Sequence, residues 1–150
     1  MKKYLNTKSN ALHLDQQLCF ALYSSSRMIV QSYDFYLKQL DITYPQFLVL
    51  SALWQSDDQS VKQLGTILHL DSGTLSPLLK KLQAKGLVKK NRTSADQRSV
   101  CVQLTVAGKN MQKAAAKIPQ QIFCKLRMKE KEVFDLKRQL QTLTEVLKKD

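Results

Sequence analysis

The chain has 150 residues, 43% of them hydrophobic and 24% charged, so it is long enough for one folded domain with a real core and is not a disordered polymer. No apolar run reaches the ~18 residues of a membrane span, and the amino-terminal MKKYLNTKSNALHLD lacks the apolar stretch of a secretory signal, so a cytoplasmic protein is expected. The formal net charge of +12, from 24 basic and 12 acidic residues, suggests a polyanionic partner. A merely basic, solvated surface would give the same sum, so the position of the cations has to decide.

Three cysteines, Cys19, Cys101 and Cys124, are an odd number with no CxxC spacing, and His13 and His69 do not complete a ligand set. This argues against a disulfide framework. No cofactor and no metal site is expected.

In chain order, the first predicted element is one long helix from Leu14 to about Leu40, with Leu14, Leu18, Ala21, Leu22, Ser25, Ile29 and Ser32 repeating at helical period. Asp41 closes it. Thr43 is a candidate N-cap, with Pro45 in the first turn of a second helix that runs to about Gln55. That helix, QFLVLSALW, is apolar nearly all round and belongs in the core, with Trp54 as a core aromatic. Ser60 can cap the short helix VKQLGTILH. After LDS, Asp71 or Ser72 can cap GTLSPLLKKLQAK, which stops at Gly86. Two short helices joined by a brief turn make a helix-turn-helix.

LVKKNR, TSADQ and RSVCVQLT then read as a β-hairpin, with Val100, Val102 and Leu104 alternating against Ser99, Cys101 and Gln103. Thr105 can cap a helix from Val106. A final amphipathic helix runs from about Lys129 to Lys148. The fold class is therefore mainly α with a small β-hairpin wing, a winged helix-turn-helix. The terminal helices carry more apolar surface than a compact core can use. A second copy would cover it, although packing on their own domain is the simpler alternative.

In the second helix of the pair, Leu75, Leu78, Leu79 and Leu82 share the core face. Gly73, Pro77, Lys80 and Ala84 point the opposite way, flanked by Ser76 and Lys81. With Ser72 and Thr74 at its start, this small, polar and basic face suits a major groove, its hydroxyls bonding phosphates or base edges. A solvated helix face would look similar. The hairpin adds Lys89, Lys90, Arg92 and Arg98 on one ribbon, suited to phosphates or an adjacent minor groove, with Asp96 placed to orient Arg98 by a salt bridge.

Ser60 through Thr105, with the wing SADQRSVCVQLT and its Asp96-x-Arg98 pair, resembles the MarR family of winged-helix regulators. The resemblance extends over nearly the whole chain. It implies a single chain over 1–150, with a DNA-binding part at 45–105, dimerisation helices at 10–42 and 106–150, and a homodimer on double-stranded DNA at a pseudo-palindromic operator. LDQQLCFALYSSSR, TYPQFLVLSALW and LDSGTLSPLLKKL are similar to the organic-hydroperoxide-sensing, OhrR-type branch. In that branch a cysteine early in the first helix is the peroxide-reactive thiol, and it falls on Cys19.

The residues around Cys19 can also be read without the family. Cys19 lies one to two turns from a helix N-terminus, where the dipole modestly favours a thiolate, and Tyr23 is its neighbour four residues on. A thiolate accepting phenol hydrogen bonds would be held ionised. Tyr33 returns to the face of Cys19 but about 21 Å along the helix, at ~1.5 Å per residue, so it can reach that thiol only from an antiparallel partner chain. The resemblance implies that arrangement, with Tyr33 and Tyr44 from the other subunit. It also implies that Cys124 resolves the oxidised Cys19 across the dimer. A small buried cysteine and an inert one are the plain alternatives for these two. Cys101 matches no role.

The expected function is a repressor, not an enzyme, that senses organic hydroperoxide through Cys19 and then releases its operator. The alternative is a MarR-type repressor released by a small aromatic ligand.

Overall fold

The computed structural model describes residues 12–93 and 96–148, apart from the side chains of 92–99. Its helices are α1 (Leu18–Leu37), α2 (Tyr44–Gln55), α3 (Val61–Leu68), α4 (Ser72–Ala84), α5 (Val106–Ala115), α6 (Ile118–Lys125) and α7 (Glu130–Leu147). Its strands are β1 (Gln59–Ser60), β2 (Val88–Thr93) and β3 (Asp96–Leu104). None of these helices is long and apolar enough to cross a membrane. The chain divides after Ala116 into two compact units.

The first unit carries the winged helix. Its helices start where the local chemistry directs. The Thr43 N–H donates to Gln46 Oε1 at 2.9 Å, with Pro45 in the first turn of α2, where a missing N–H costs nothing. Ser60 Oγ accepts from the Gln63 N–H at 3.1 Å, and Gln63 Oε1 accepts from the Ser60 N–H at 2.8 Å, a reciprocal capping box on α3. Asp71, rather than Ser72, caps α4 through the Thr74 N–H at 2.8 Å. Thr105 caps α5 through the Gly108 N–H at 3.1 Å.

The core forms around α2, which buries Phe47, Val49, Leu50 and Leu53. Leu64 of α3 and Leu75, Leu79 and Leu82 of α4 are completely buried, and Val88, Val102 and Leu104 of the sheet are at most 6% exposed. Burial of each such leucine is worth roughly 1.5–3 kcal/mol. Trp54 is only half-buried, and its indole N–H donates to the Gly108 carbonyl at 2.9 Å, so it joins α2 to α5.

Three expectations need correction and one is extended. The helix foreseen over Leu14 to Leu40 is three pieces. A 3-10 turn at Leu14–Gln16 stops at Gln17, which is extended (φ −94°, ψ 118°), and another at Lys38–Leu40 ends on Asp41 in the left-handed region (φ 52°). Side-chain periodicity does not register a single extended residue. Cys19 is in consequence the second residue of α1, nearer the helix start than one to two turns. The expected hairpin wing is present as β2 paired with β3, and β1 extends it to a three-stranded antiparallel sheet of order β1-β3-β2, because Gln59 and Ser60 pair with Val102 and Cys101. Finally, the stretch after the hairpin holds three helices rather than two, with α5 ending before Pro119 opens α6.

Asp57 ties the sheet to the helices. Its Oδ1 accepts from the Leu104 N–H at 2.8 Å and the Asp58 N–H at 2.9 Å, and its Oδ2 pairs with Lys109 of α5 at 3.2 Å. Burial pushes its carboxyl up, but those hydrogen bonds outweigh burial and hold it below the usual carboxylate range. A depressed pKa stabilises the fold above the unfolded value near about 4, and that contribution is lost as pH falls through the folded value. We expect Asp57→Ala to cost about 1–3 kcal/mol at neutral pH and Asp57→Asn less, since an amide oxygen still accepts from Leu104. The wild-type advantage over Asp57→Asn should shrink below about pH 4. Urea midpoints across pH test this; equal midpoints for wild type and Asp57→Ala at neutral pH would refute it.

In the second unit, α6 buries Ile118 and Ile122, whereas α7 buries nothing. Leu136, Leu140 and Leu147 of α7 are all exposed.

Candidate nucleic-acid interface and thiol site

The three buried leucines of α4 turn its other side outward. Ser72, Gly73, Thr74, Ser76, Pro77, Lys80 and Lys81 are all exposed. Pro77 lies inside the helix and has no N–H for the Gly73 carbonyl, so that carbonyl keeps its acceptor capacity. Thr74 is less available than its hydroxyl suggests. Its Oγ1 donates to Asp71 Oδ2 at 2.9 Å, so its proton is committed to the cap and it can only accept. The backbone N–H of Thr74, followed by its hydroxyl, lowers the Asp71 carboxyl below its ordinary value. Asp71 is a residue at this face that its sequence context marks only as a cap.

Gly86, with φ 68°, ends α4 and leads into the wing. Strand alternation splits the wing's cations. Lys89 pairs with Gln103 and Lys90 with Val102, so the two lysines project from opposite faces of the ribbon. Both are exposed. Asn91 Nδ2 donates to Gln103 Oε1 at 2.7 Å on the Lys89 face. The side chains of Arg92, Asp96 and Arg98, and with them the expected Asp96–Arg98 bridge, lie outside the described residues.

Cys19 is exposed in the first turn of α1, where unpaired backbone N–H groups favour nearby negative charge. Tyr23 is one turn on, 57% exposed, and its hydroxyl accepts from Arg27 Nη1 at 3.0 Å. Toward the other end of α1, the Tyr33 ring packs tilted against Tyr44, with ring centroids 4.7 Å apart, and against Phe47 at 5.8 Å. Burial raises both phenol pKa values, and the neighbouring Tyr44 raises that of Tyr33 further, so both hydroxyls stay protonated at neutral pH. The fold therefore gathers Tyr33 and Tyr44 and leaves Cys19 at the far end of the same helix. Leu18, Phe20, Met28 and Ile29 of α1 are exposed, and only Leu37 of that helix is buried. Cys124, in the second unit, is exposed on α6, and Cys101 is half-buried in β3. Among the described residues no cluster of His, Cys, Asp or Glu is arranged to hold a metal ion.

Comparison with known proteins gives a consistent set. Residues 31–116 match the family described as transcriptional regulator SarA/Rot. The organic hydroperoxide resistance transcriptional regulator of Bacillus subtilis is 40% identical over 143 residues, covering 95% of this chain and 97% of that protein. Among solved structures, reduced AbfR bound to DNA superposes with a TM-score of 0.75 at 34% identity, covering 93% of this chain and 97% of that one. AbfR is from Staphylococcus epidermidis, and its disulfide form also matches, with a TM-score of 0.65 at 35% identity over 91% of this chain and 96% of that one. Escherichia coli MarR in its apo form matches with a TM-score of 0.68 at 26% identity, over 85% and 96% of the two chains.

Proposed function

Because the chain belongs to the SarA/Rot family of MarR-like winged-helix transcriptional regulators, we propose that it is a DNA-binding repressor released from its operator by organic hydroperoxide. The relatives are regulators rather than enzymes, and the sensing step is a single oxidation rather than turnover.

One observation carries the sensing reading. Tyr33 and Tyr44 meet at one end of a helix whose first turn exposes Cys19 at the other. The separation of about 21 Å along the helix bars contact within one chain. A second α1 crossing antiparallel brings both phenols of one protomer to Cys19 of its partner, and covers the apolar residues that α1 leaves exposed. Two protonated phenols then donate to the thiolate and hold it reactive. The dimer is a cytoplasmic one on a pseudo-palindromic operator.

The chemistry is balanced by the peroxide itself. The Cys19 thiolate attacks the terminal oxygen of ROOH and the O–O bond breaks. RO⁻ leaves and is protonated to the alcohol, and the sulfur becomes a sulfenic acid, oxidised by two electrons. The Cys124 thiol of the partner then displaces water from it to form an interchain disulfide, as the existence of a disulfide form of AbfR encourages. On DNA, Ser72, Gly73, Thr74, Ser76, Pro77, Lys80 and Lys81 face the major groove. Lys89, Lys90, Arg92 and Arg98 take phosphates or the minor groove, Asp96 orienting Arg98.

The test is fluorescence anisotropy on a duplex selected in vitro from random sequence, beside a scrambled duplex. The reduced protein should prefer the selected duplex by about 10³-fold or more. Stoichiometric cumene hydroperoxide should abolish that binding, and dithiothreitol should restore it. Binding indifferent to peroxide but lost to an aromatic acid would replace oxidation with ligand binding.

A further inference from the structure

Cys19, Tyr23 and Arg27 are spaced by four residues, so they follow one another along a single stripe of α1, each about 6 Å beyond the last. All three are exposed. Arg27 engages Tyr23 in two ways. Its Nη1 donates to the phenol oxygen at 3.0 Å, and its guanidinium carbon lies 5.6 Å from the ring centroid, within cation–π range. The phenol oxygen thus accepts from a cationic donor, and its O–H keeps its own proton to donate to an acceptor one turn back. The residue at that position is Cys19.

We propose that Arg27 is a positioning residue for the redox switch, acting through Tyr23 to make that phenol a stronger hydrogen-bond donor to the Cys19 thiolate. This rests on the reading of Cys19 as the peroxide-reactive thiol. A donor that is itself accepting from a cation is polarised, and hydrogen bonds in such a chain strengthen one another by about 10–30% per bond. The relay runs from guanidinium to phenol to thiolate. A direct effect of Arg27 on the sulfur, about 12 Å away along the helix, acts over more than the Debye length of about 8 Å and is weak. The hydrogen bond from Arg27 also restrains the Tyr23 ring on this stripe. The other titratable groups near this end of the helix, His13 and Asp15 of the preceding turn, are the same in every variant below, as are the partner's Tyr33 and Tyr44.

The experiment measures the rate of iodoacetamide alkylation at Cys19 against pH, with the Cys19 peptide quantified by mass spectrometry. The full-length proteins compared are wild type, Arg27→Met, Arg27→Lys, Tyr23→Phe and the Arg27→Met/Tyr23→Phe double variant. The reactivity midpoint should rise by about half a pH unit in Arg27→Met, equivalent to about a threefold loss of thiolate below the midpoint. Arg27→Lys, which keeps a charged donor without the planar fork, should fall between Arg27→Met and wild type. In the Tyr23→Phe background, Arg27→Met should produce no further shift. An Arg27→Met midpoint equal to wild type overturns the proposal, and so does a shift that persists without the Tyr23 hydroxyl. Thermal unfolding and affinity for the selected duplex should be unchanged in Arg27→Lys, which separates the relay from a loss of fold. Should wild-type protein stay on DNA after hydroperoxide, the sensing reading fails, while this alkylation profile still decides whether Arg27 acts on the thiol through Tyr23.

Discussion

Gly108→Ala should lower the melting temperature by about 10 °C. A Cβ at Gly108 would sit 2.1 Å from the Leu87 carbonyl oxygen, 3.2 Å from the Leu87 carbonyl carbon and 3.1 Å from Leu104 Cδ2. The first two are backbone atoms and cannot swing away. That Leu87 oxygen already accepts from the Thr105 N–H at 3.1 Å, and the Gly108 carbonyl accepts from Trp54. Relief of the clash requires the first turn of α5 to move by more than an ångström, which opens both bonds. Overpacking costs about 1–3 kcal/mol, and each hydrogen bond lost adds about 1 kcal/mol. At about 2–4 °C per kcal/mol for a chain of this size, the shift is about 10 °C. Gly86→Ala is the contrast. Nothing lies within 4 Å of a Cβ there, and only the positive φ of 68° is strained, at about 1–2 kcal/mol. Melting curves followed by circular dichroism give both values. A Gly108→Ala protein within about 2 °C of wild type would show that α5 does not rest on Leu87 as described.

Cys19→Ser should leave operator binding intact and remove the response to hydroperoxide. Serine matches the small size of cysteine and, in the first turn of a helix, is well tolerated, so α1 and the surface it presents should persist. Its hydroxyl does not ionise near neutral pH and does not attack an O–O bond, so the step that begins the switch is absent. For wild type, oxidation should weaken operator affinity at least about tenfold, within the usual range for coupling between sites; for Cys19→Ser the ratio should be close to one. Release of the serine variant at wild-type peroxide concentrations would mean that Cys19 is not the sensor. Cys124 is tested on the same samples. Oxidised wild type should run as a covalent dimer on a non-reducing gel and Cys124→Ser as a monomer. A dimer band that survives in Cys124→Ser would remove Cys124 from the mechanism.

The parts of the site that depend on local chemistry were legible in the chain. The outward set on α4 follows from where its leucines fall, since 100° per residue assigns both faces at once. Other parts were not. Nothing in the sequence indicates that the Thr74 hydroxyl is spent on Asp71 rather than offered to DNA, because both uses suit a threonine in the first turn. The four cations of the wing read as one group, yet the register divides Lys89 from Lys90. The Arg27–Tyr23 pair lies at an ordinary i,i+4 spacing, one of many on α1, and only the placed side chains select it.

By itself the sequence determined the winged helix-turn-helix order, the caps at Thr43, Ser60 and Thr105, a cap of α4 at Asp71 or Ser72, the stop at Gly86 and the buried face of α4. Each depends on residues within one or two turns of each other, where hydrogen-bond reach and helical period leave few options. Tertiary structure alone decided the rest. Gln59 and Ser60 are a strand only because β3 offers them a ladder. Trp54 finds its partner 54 residues away, and Asp57 reaches the Leu104 N–H 47 residues on. Gly108 is required by a carbonyl 21 positions earlier in the chain. Contacts that distant are set by how elements pack, which no local pattern encodes.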